Sequence, residues 1–564
     1  MLRTTLPIGL ITALASVMAC SSSTHAVGTG TPRLVVVISV DQMRPDQLDR
    51  LQDHLDPDGL GRFLREGRRF TQAALPYAST STGPGHASLG TGTMPRHHGI
   101  TDNSIWVRQS GTSLYCFGDD TVQGVGNAGT FPEEGGQRSA VNALRPALGE
   151  HLQNQFPGAK VVSIAGKDRS AIGMGGATAD PCLWWERSAG QGLVTSTAYR
   201  TDLPKWVKSW NDTWVARANG WTWTPDMLDP SALPPGTEID DRAGEGNLFG
   251  QGRAFPYTLP TADPAIQVQR VALAEAIYRT TYVDTIVLQA ALLALDAEQL
   301  GRDAVPDLLC LGFAATDTIG HNNGPFSHEV TDNLLRLDAS LAQFFKSLDE
   351  RVGAGNWIAA LTSDHGVLPL PEGQAGQAIG ATRVTTAEVT NLTASVRRRI
   401  KTEYDETFGV AVTAVGITLN PALMAAAGVE GRDVRRVAAD GLAEEFPWID
   451  QVFTQDQILE PIQSTDSEVL RRFKNGAHVE RGEDLRLLLQ PGTLAVTWGT
   501  GTSHGSAHDY DRRLPLLLLG PGVDKGTDAK PCASQDVAPT LLHLLGVSGT
   551  AIDAMNFDGH SLIE

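Results

Sequence analysis

Cysteine is scarce in this chain, with five in 564 residues and no Cys-x-x-Cys pair. That removes a zinc-thiolate module and a disulfide-stapled scaffold. Positive charge is also short. Against 64 Asp and Glu stand 45 Lys and Arg, a formal charge of −19. A nucleic-acid partner needs a basic face to displace counterions from phosphates, and this balance argues against one. No apolar run beyond the N-terminal segment is long enough to span a bilayer. Internal repeats and low-complexity blocks are missing as well.

What is present points to a packed, loop-rich enzyme: 41% hydrophobic residues, 11 Trp and 59 Gly. At about 100–200 residues per domain, the length allows two to four domains, or one large α/β domain with insertions. Residues 1–26 read as a bacterial export signal, with Arg3 for charge and Leu6 to Met18 as a short apolar stretch. Val17-Met18-Ala19-Cys20 followed by three serines reads as a lipobox, which would leave Cys20 as a lipidated first residue. The rival cut follows Ala26. Either one places the mature chain in the periplasm or outside the cell, lipid-anchored through Cys20 in the first case. Either one also removes Arg3 and no acid, so the mature charge is −20.

Four cysteines remain, Cys116, Cys182, Cys310 and Cys532. In an oxidising compartment Cys116 with Cys182 is the pairing entertained. Cys310, inside Leu308-Leu309-Cys310-Leu311, reads as a buried strand thiol.

Short apolar runs at Leu34 to Val40, Val161 to Ala165, Leu308 to Phe313, Trp357 to Leu361 and Leu514 to Leu519 predict strands buried on both faces, as in a parallel sheet. Val330, Leu334, Leu337, Leu341, Phe344 and Leu348 recur at spacings of three and four and predict one helix face. A second helical region spans about Ile266 to Leu300. The fold class is therefore α/β, a mostly parallel central sheet with helices on both faces. Residues about 176–260, rich in Trp, Pro and Gly, read as an irregular insertion. Residues about 376–492, with the basic helical segment Val396 to Lys401, read as a second insertion or cap.

Ligands of open parallel sheets gather beyond the C-terminal ends of strands. There the sequence places Asp41, then Asp317 and His321, then Asp364 and His365, while His504 precedes the run at 514. One Asp after a strand is ordinarily a cap or turn residue. Three Asp and three His at successive strand ends are the ligand types of two zinc ions, and paired metals suit phosphoryl transfer. Thr82-Gly83-Pro84-Gly85-His86 adds a hydroxyl in a loop whose backbone can approach an anion closely. Two near-matches fail there. The serine-hydrolase elbow has His86 where its first Gly belongs, and the dinucleotide fingerprint has Ser88 where its last Gly belongs.

These pieces resemble the alkaline phosphatase superfamily. The nearest resemblance is to its threonine-nucleophile bacterial alkaline phosphatases of the PafA and PhoK type, neighbours of the nucleotide pyrophosphatase/phosphodiesterases. The matching residues are Val40-Asp41-Gln42-Met43-Arg44, Thr82-Gly83-Pro84-Gly85-His86-Ala87-Ser88, His98-Gly99-Ile100 with Asn103, Gly166-Lys167-Asp168-Arg169, Asp317 with His321, Ser363-Asp364-His365-Gly366 and Thr502-Ser503-His504-Gly505. Asp536 to Leu541 with Asp558-Gly559 resembles the usual C-terminal end. The resemblance runs from residue 33 to 564 and implies one alkaline-phosphatase-like sandwich over 27–564, with the insertions forming a cap.

It further implies two zinc ions per chain. Asp317, His321 and His504 would hold one, and Asp41, Asp364, His365 and the nucleophile Thr82 the other. His328 and His508 match no motif position and stay outside the ligand set. Asn103, the Gly83 amide, Lys167 and Arg169 would hold phosphoryl oxygens, the last two pointing the same way if that stretch is extended. The Lys/Arg pair favours small phosphate monoesters over diesters, because a monoester dianion leaves more oxygen charge for cations. The expected protein is an exported, monomeric alkaline phosphatase working through a phosphothreonine. Its rivals are a phosphodiesterase or nucleotide pyrophosphatase of the same superfamily, a sulfatase, a phosphoglycerate mutase, and a surface lipoprotein that only binds.

Overall fold

Leu34–Val40 is buried along its whole length, and its side chains divide by parity. Leu34, Val36, Ile38 and Val40 join one core with the helices Gln267–Tyr278, Tyr282–Ala297 and His328–Leu348. Val35 and Val37 join the opposite core with the helices Thr82–Thr91, Leu148–Gln155, Asp168–Gly175 and Val537–Leu544. A period of two with both faces apolar is what a sheet covered by helices on each side requires. The computed structural model describes residues 30–563 apart from Ala414, Ala495 and Thr497. The export signal and Cys20 lie outside the described residues.

The central sheet has eleven strands. Its middle is parallel: Trp357–Thr362, Leu34–Val40, Asp307–Phe313, Val161–Ala165 and Cys182–Glu186 lie side by side in that order. The mostly parallel sheet is as expected, but the run at 514–519, read as a strand of parallel type, runs antiparallel as Leu516–Leu519 between Trp357–Thr362 and Arg68–Ala73. Apolar periodicity carries no strand direction. The reversal matters for function, since Leu516 at the start of this strand pairs with Thr362 at the end of its neighbour. The loop entering the antiparallel strand thus reaches the edge where the parallel strands exit.

The stretch 176–260 is not simply an insertion. Cys182–Glu186 and Gly192–Ser196 belong to the central sheet, and Trp184 and Trp185 pack into its two opposite cores. Bulky aromatics served there as sheet residues, a pattern that aliphatic periodicity overlooks. Trp210, Trp214 and Trp223 continue the packing behind it.

The helix His328–Leu348 carries its predicted face inward and starts at Ser327, whose Oγ accepts from the Val330 amide. Truncating a core residue such as Leu341, 0% exposed, is expected to cost about 2–5 kcal/mol. Between residues 382 and 494 lies a second α/β layer. Its four-stranded sheet runs Ala411–Val412, Gly416–Thr418, Leu485–Leu489, Ile449–Thr454. Leu392, Val396 and Ile400 of the helix Thr386–Tyr404 pack on it at intervals of four. This layer has a hydrophobic core of its own.

Candidate active site

Asp41, one residue beyond Leu34–Val40, and Asp364, two beyond Trp357–Thr362, are carried by adjacent parallel strands and arrive together. Asp364 is fixed by three backbone and hydroxyl donors: its Oδ1 accepts from the amides of Gln42 and His365, each at 3.1 Å, and from Ser363 Oγ at 3.3 Å. Its Oδ2 lies 3.3 Å from His365 Nε2. The helix Thr82–Thr91 packs directly on this corner. A Cβ on Gly85 would fall 2.3 Å from the Asp364 carbonyl oxygen, so only glycine permits the approach. Thr82 is buried, with Oγ1 3.5 Å from His365 Nε2.

The other ligand set is built differently. Asp317 and His321 lie one turn apart on the helix Ala315–Asn323, with Asp317 Oδ1 3.2 Å from His321 Nε2. His504 comes from the loop before the antiparallel strand, its Nε2 3.6 Å from Asp317 Oδ1. Gly501, at φ +72°, lets that loop pass against the His321 carbonyl, 2.1 Å from where a Cβ would sit. The Asp317–His321 pair is therefore a site feature, not a helix-surface contact.

All three histidines are oriented alike. Nδ1 donates to a backbone carbonyl: His365 to Gly366 at 2.9 Å, His321 to Thr502 at 2.7 Å and His504 to Thr80 at 2.6 Å. Each Nε2 lone pair is thereby turned toward the carboxylates, the arrangement that carries metal-binding histidines. The carboxylates fit the same purpose. Among the described residues Asp41 Oδ1 has no hydrogen bond, although it is buried, and Asp41 Oδ2 is met by the Lys167 ammonium. Asp41, Asp317 and Asp364 have one ammonium against them: Lys167 Nζ, 2.7 Å from Asp41 and 2.5 Å from Asp317. Isolated buried charges cost several kcal/mol each, so divalent cations suit this donor set. Ligand atoms of Asp317, His321 and His504 lie within 4.8 Å of one another, as do those of Asp41, Asp317 and His365.

Electrostatics separate the carboxylates. Burial and the neighbouring Asp364 hold Asp41 well above the usual range. Burial pushes Asp364 the same way, but His365 and His86 overcome it and hold that carboxyl low. Lys167 and His321 do likewise for Asp317 against its burial. Burial drives His365 down to about 3, so its ring is neutral and its lone pair available.

The third grouping, Asp41, His86 and Asp364, includes a residue absent from the predicted ligands. His86 follows Thr82 by one helical turn. Its Nδ1 lies 3.0 Å from the Thr82 carbonyl and 3.2 Å from Asp364 Oδ2. The signal was the i, i+4 spacing within the threonine motif itself. His328 and His508 do not join the site: the first faces Asp240 at 3.9 Å and the second contacts the Leu489 carbonyl at 2.7 Å.

The Gly83 amide donates to Asn103 Oδ1 at 2.7 Å. It is engaged, and its effect is to orient Asn103 with Nδ2 as the remaining donor. The stretch at Lys167 and Arg169 is not extended, because the helix Asp168–Gly175 begins inside it. Both side chains nonetheless line one cavity of about 260 Å³. Arg169 Nη1 is 3.4 Å from the Tyr115 hydroxyl, and its Nε is buried without a partner. Asp168, held by Tyr115 at 2.7 Å and Arg138 at 2.5 Å, fixes the turn between them.

The four cysteines are free and buried, which corrects the Cys116–Cys182 pairing. Cys116 sits against Gly83, whereas Cys182 belongs to a central strand beside Ser163.

Residues 35–511 match the family model of type I phosphodiesterase / nucleotide pyrophosphatase. The chain is 32% identical over 529 residues to alkaline phosphatase PafA of Elizabethkingia meningoseptica, covering 92% of each. It is equally identical over 531 residues to a Myroides odoratus protein named calcium-transporting ATPase, again covering 92% of each. A crystal structure of PafA superposes with a TM-score of 0.82 at 30% identity, over 95% of this chain and 99% of that one. With the Asp/His ligand sets and the sheet that carries them, these matches place the chain in the type I phosphodiesterase/nucleotide pyrophosphatase family of the alkaline phosphatase superfamily, as a hydrolase of phosphate compounds.

Proposed function

We propose that this chain is an exported alkaline phosphatase that hydrolyses small phosphate monoesters through a phosphothreonine at Thr82. The observation that carries the reading is the convergence of Thr82, two Asp/His sets whose Nε2 atoms face the carboxylates, and the Lys167/Arg169 wall. Two zinc ions suit the donor types. Asp41, Asp364, His365 and Thr82 would hold one, Asp317, His321 and His504 the other, and together they would supply Lewis acidity to the attacking and departing oxygens.

Thr82 Oγ gives its proton to solvent, which later supplies the one the ester oxygen takes up, and attacks phosphorus. The bond to the ester oxygen breaks, and that oxygen departs on the side of Asp317, His321 and His504, taking up a proton. Water then attacks the phosphothreonine from the vacated side, the phosphorus–Thr82 bond breaks, and Thr82 regains its proton as phosphate leaves. Two inversions give retention at phosphorus. Asn103 Nδ2, Lys167 and Arg169 hold the non-bridging oxygens, where transition-state charge spreads.

Lys167 and Arg169 favour a monoester, whose extra oxygen charge they can match and a diester's second organic group cannot. Lys167→Ala and Arg169→Ala should lower kcat/KM more for p-nitrophenyl phosphate than for bis-p-nitrophenyl phosphate, by about tenfold in the ratio. Equal losses on both would remove the pair from substrate discrimination. The transport name of one relative finds no support here, because among the described residues no helix is long and apolar enough to cross a membrane. Export rests on residues 1–26, with anchoring through Cys20 as the lipobox alternative.

A further inference from the structure

Two cavities flank the ligand sets, and they differ in chemistry. The one reached by Lys167 and Arg169 also carries Arg138 and Arg187, so its cations outnumber Glu134, Asp168 and Glu186. The other, about 310 Å³, opens at His504 and lies between the catalytic sheet edge and the 382–494 layer. Its floor is continuous with the site. Ser79 and Ser81 line it beside His504, whose Nδ1 donates to the intervening Thr80 carbonyl. Its apolar lining comprises Leu368, Val415, Leu489, Leu494, Val496 and the half-exposed indole of Trp498, interspersed with Thr493 and Tyr510. Its charged groups are mainly acidic. Buried Asp511 keeps one oxygen with no hydrogen-bond partner among the described residues, Asp102 also lines the cleft, and its single guanidinium, Arg486, is bound to Glu483 at 2.9 Å.

We propose that this cleft is the leaving-group subsite, and that it selects esters whose departing alcohol is apolar and aromatic and disfavours those whose alcohol carries a negative charge. The inference rests on the proposed direction of displacement, which sends the ester oxygen out past His504. A cleft sharing that histidine is where the rest of the alcohol must lie. An aromatic ring placed there meets aliphatic side chains and an indole, contacts worth a substantial fraction of a decade or more in rate when used in the transition state. A carboxylate or second phosphate placed there meets Asp102 and Asp511.

The test is a ratio of kcat/KM values, phenyl phosphate over methyl phosphate, in the full-length metal-loaded enzyme. Trp498→Ala should lower this ratio about tenfold. Charge variants at half-buried Val496 give a second reading that loss of folding cannot imitate. For 4-carboxyphenyl over phenyl phosphate, Val496→Lys should raise the ratio about threefold and Val496→Glu lower it by a similar factor. An unchanged phenyl-to-methyl ratio in Trp498→Ala, or no opposite movement in the two Val496 variants, overturns the subsite. Failure of the wild-type enzyme to release phosphate from any of these esters overturns the functional reading instead.

Discussion

The two ligand sets solve the same problem with different materials. On the Thr82 side every group is buried: Asp41, Asp364 and His365 leave adjacent strands, and the helix Thr82–Thr91 closes over them with no room for a Cβ at Gly85. On the other side His321 keeps 31% of its side chain exposed, and His504 comes from a loop tied down by hydrogen bonds. On the proposed mechanism the contrast would give the covalent step a rigid, dry corner and the departing group an opening. A nucleophile that must stay within reach of one oxygen position gains from rigidity, while alcohols of different shape need a way out.

The sharpest break is Thr82→Ala. It should lower phosphate release about 10⁴-fold or more while leaving metal content, read by atomic emission, unchanged; undiminished turnover would remove Thr82 from the nucleophile role. Next comes a paired substitution across the two sets. His365→Ala should cost the metal-free protein about 1–3 kcal/mol in urea unfolding, whereas His321→Ala should stay within about 0.5 kcal/mol. Equal destabilisation would erase the distinction between a buried and an open half.

A third experiment uses pH on the buried side. His98 lies beneath the helix Thr82–Thr91, accepting from the Ile100 amide at Nδ1 (3.1 Å) and contacting Ser88 Oγ at Nε2 (3.0 Å), and burial lowers its pKa to about 3. The unfolded chain binds this proton near pH 6.5 and the folded chain does not, so stability falls as pH drops from 6.5 toward 3. Between pH 7 and 5 this amounts to about 2 kcal/mol. His98→Gln should show a correspondingly shallower acid loss in urea midpoints, and an identical slope would refute the assignment. The smallest effect is expected on the open side. Arg383 pairs with Glu372 and donates to the Gly501 carbonyl at 2.6 Å, steadying the His504 loop. Arg383→Met should weaken zinc binding about threefold to tenfold at one of two sites; a loss at both would mean the halves are not independent.

Much of this was legible before any coordinates. Asp41, Asp364 and His365 stand just beyond apolar runs and could be placed by strand exits alone. His504 fitted less obviously, and its place makes sense only because Leu516–Leu519 runs backwards. Strand direction is a pairing property, invisible to periodicity. The strands at 182–196 were hidden because Trp184 and Trp185 look like irregular sequence. His86 was signalled only by its i, i+4 spacing from Thr82, while the engagement of the Gly83 amide depends on a contact across the fold, to Asn103, that spacing does not encode.

The central claim is a two-metal site serving a monoester. It is tested most directly by measuring bound divalent metal per chain and kcat/KM for p-nitrophenyl phosphate and bis-p-nitrophenyl phosphate on the same purified sample. The account predicts two ions per chain and a clear preference for the monoester. A preference for the diester, or full activity in metal-free protein, would contradict it.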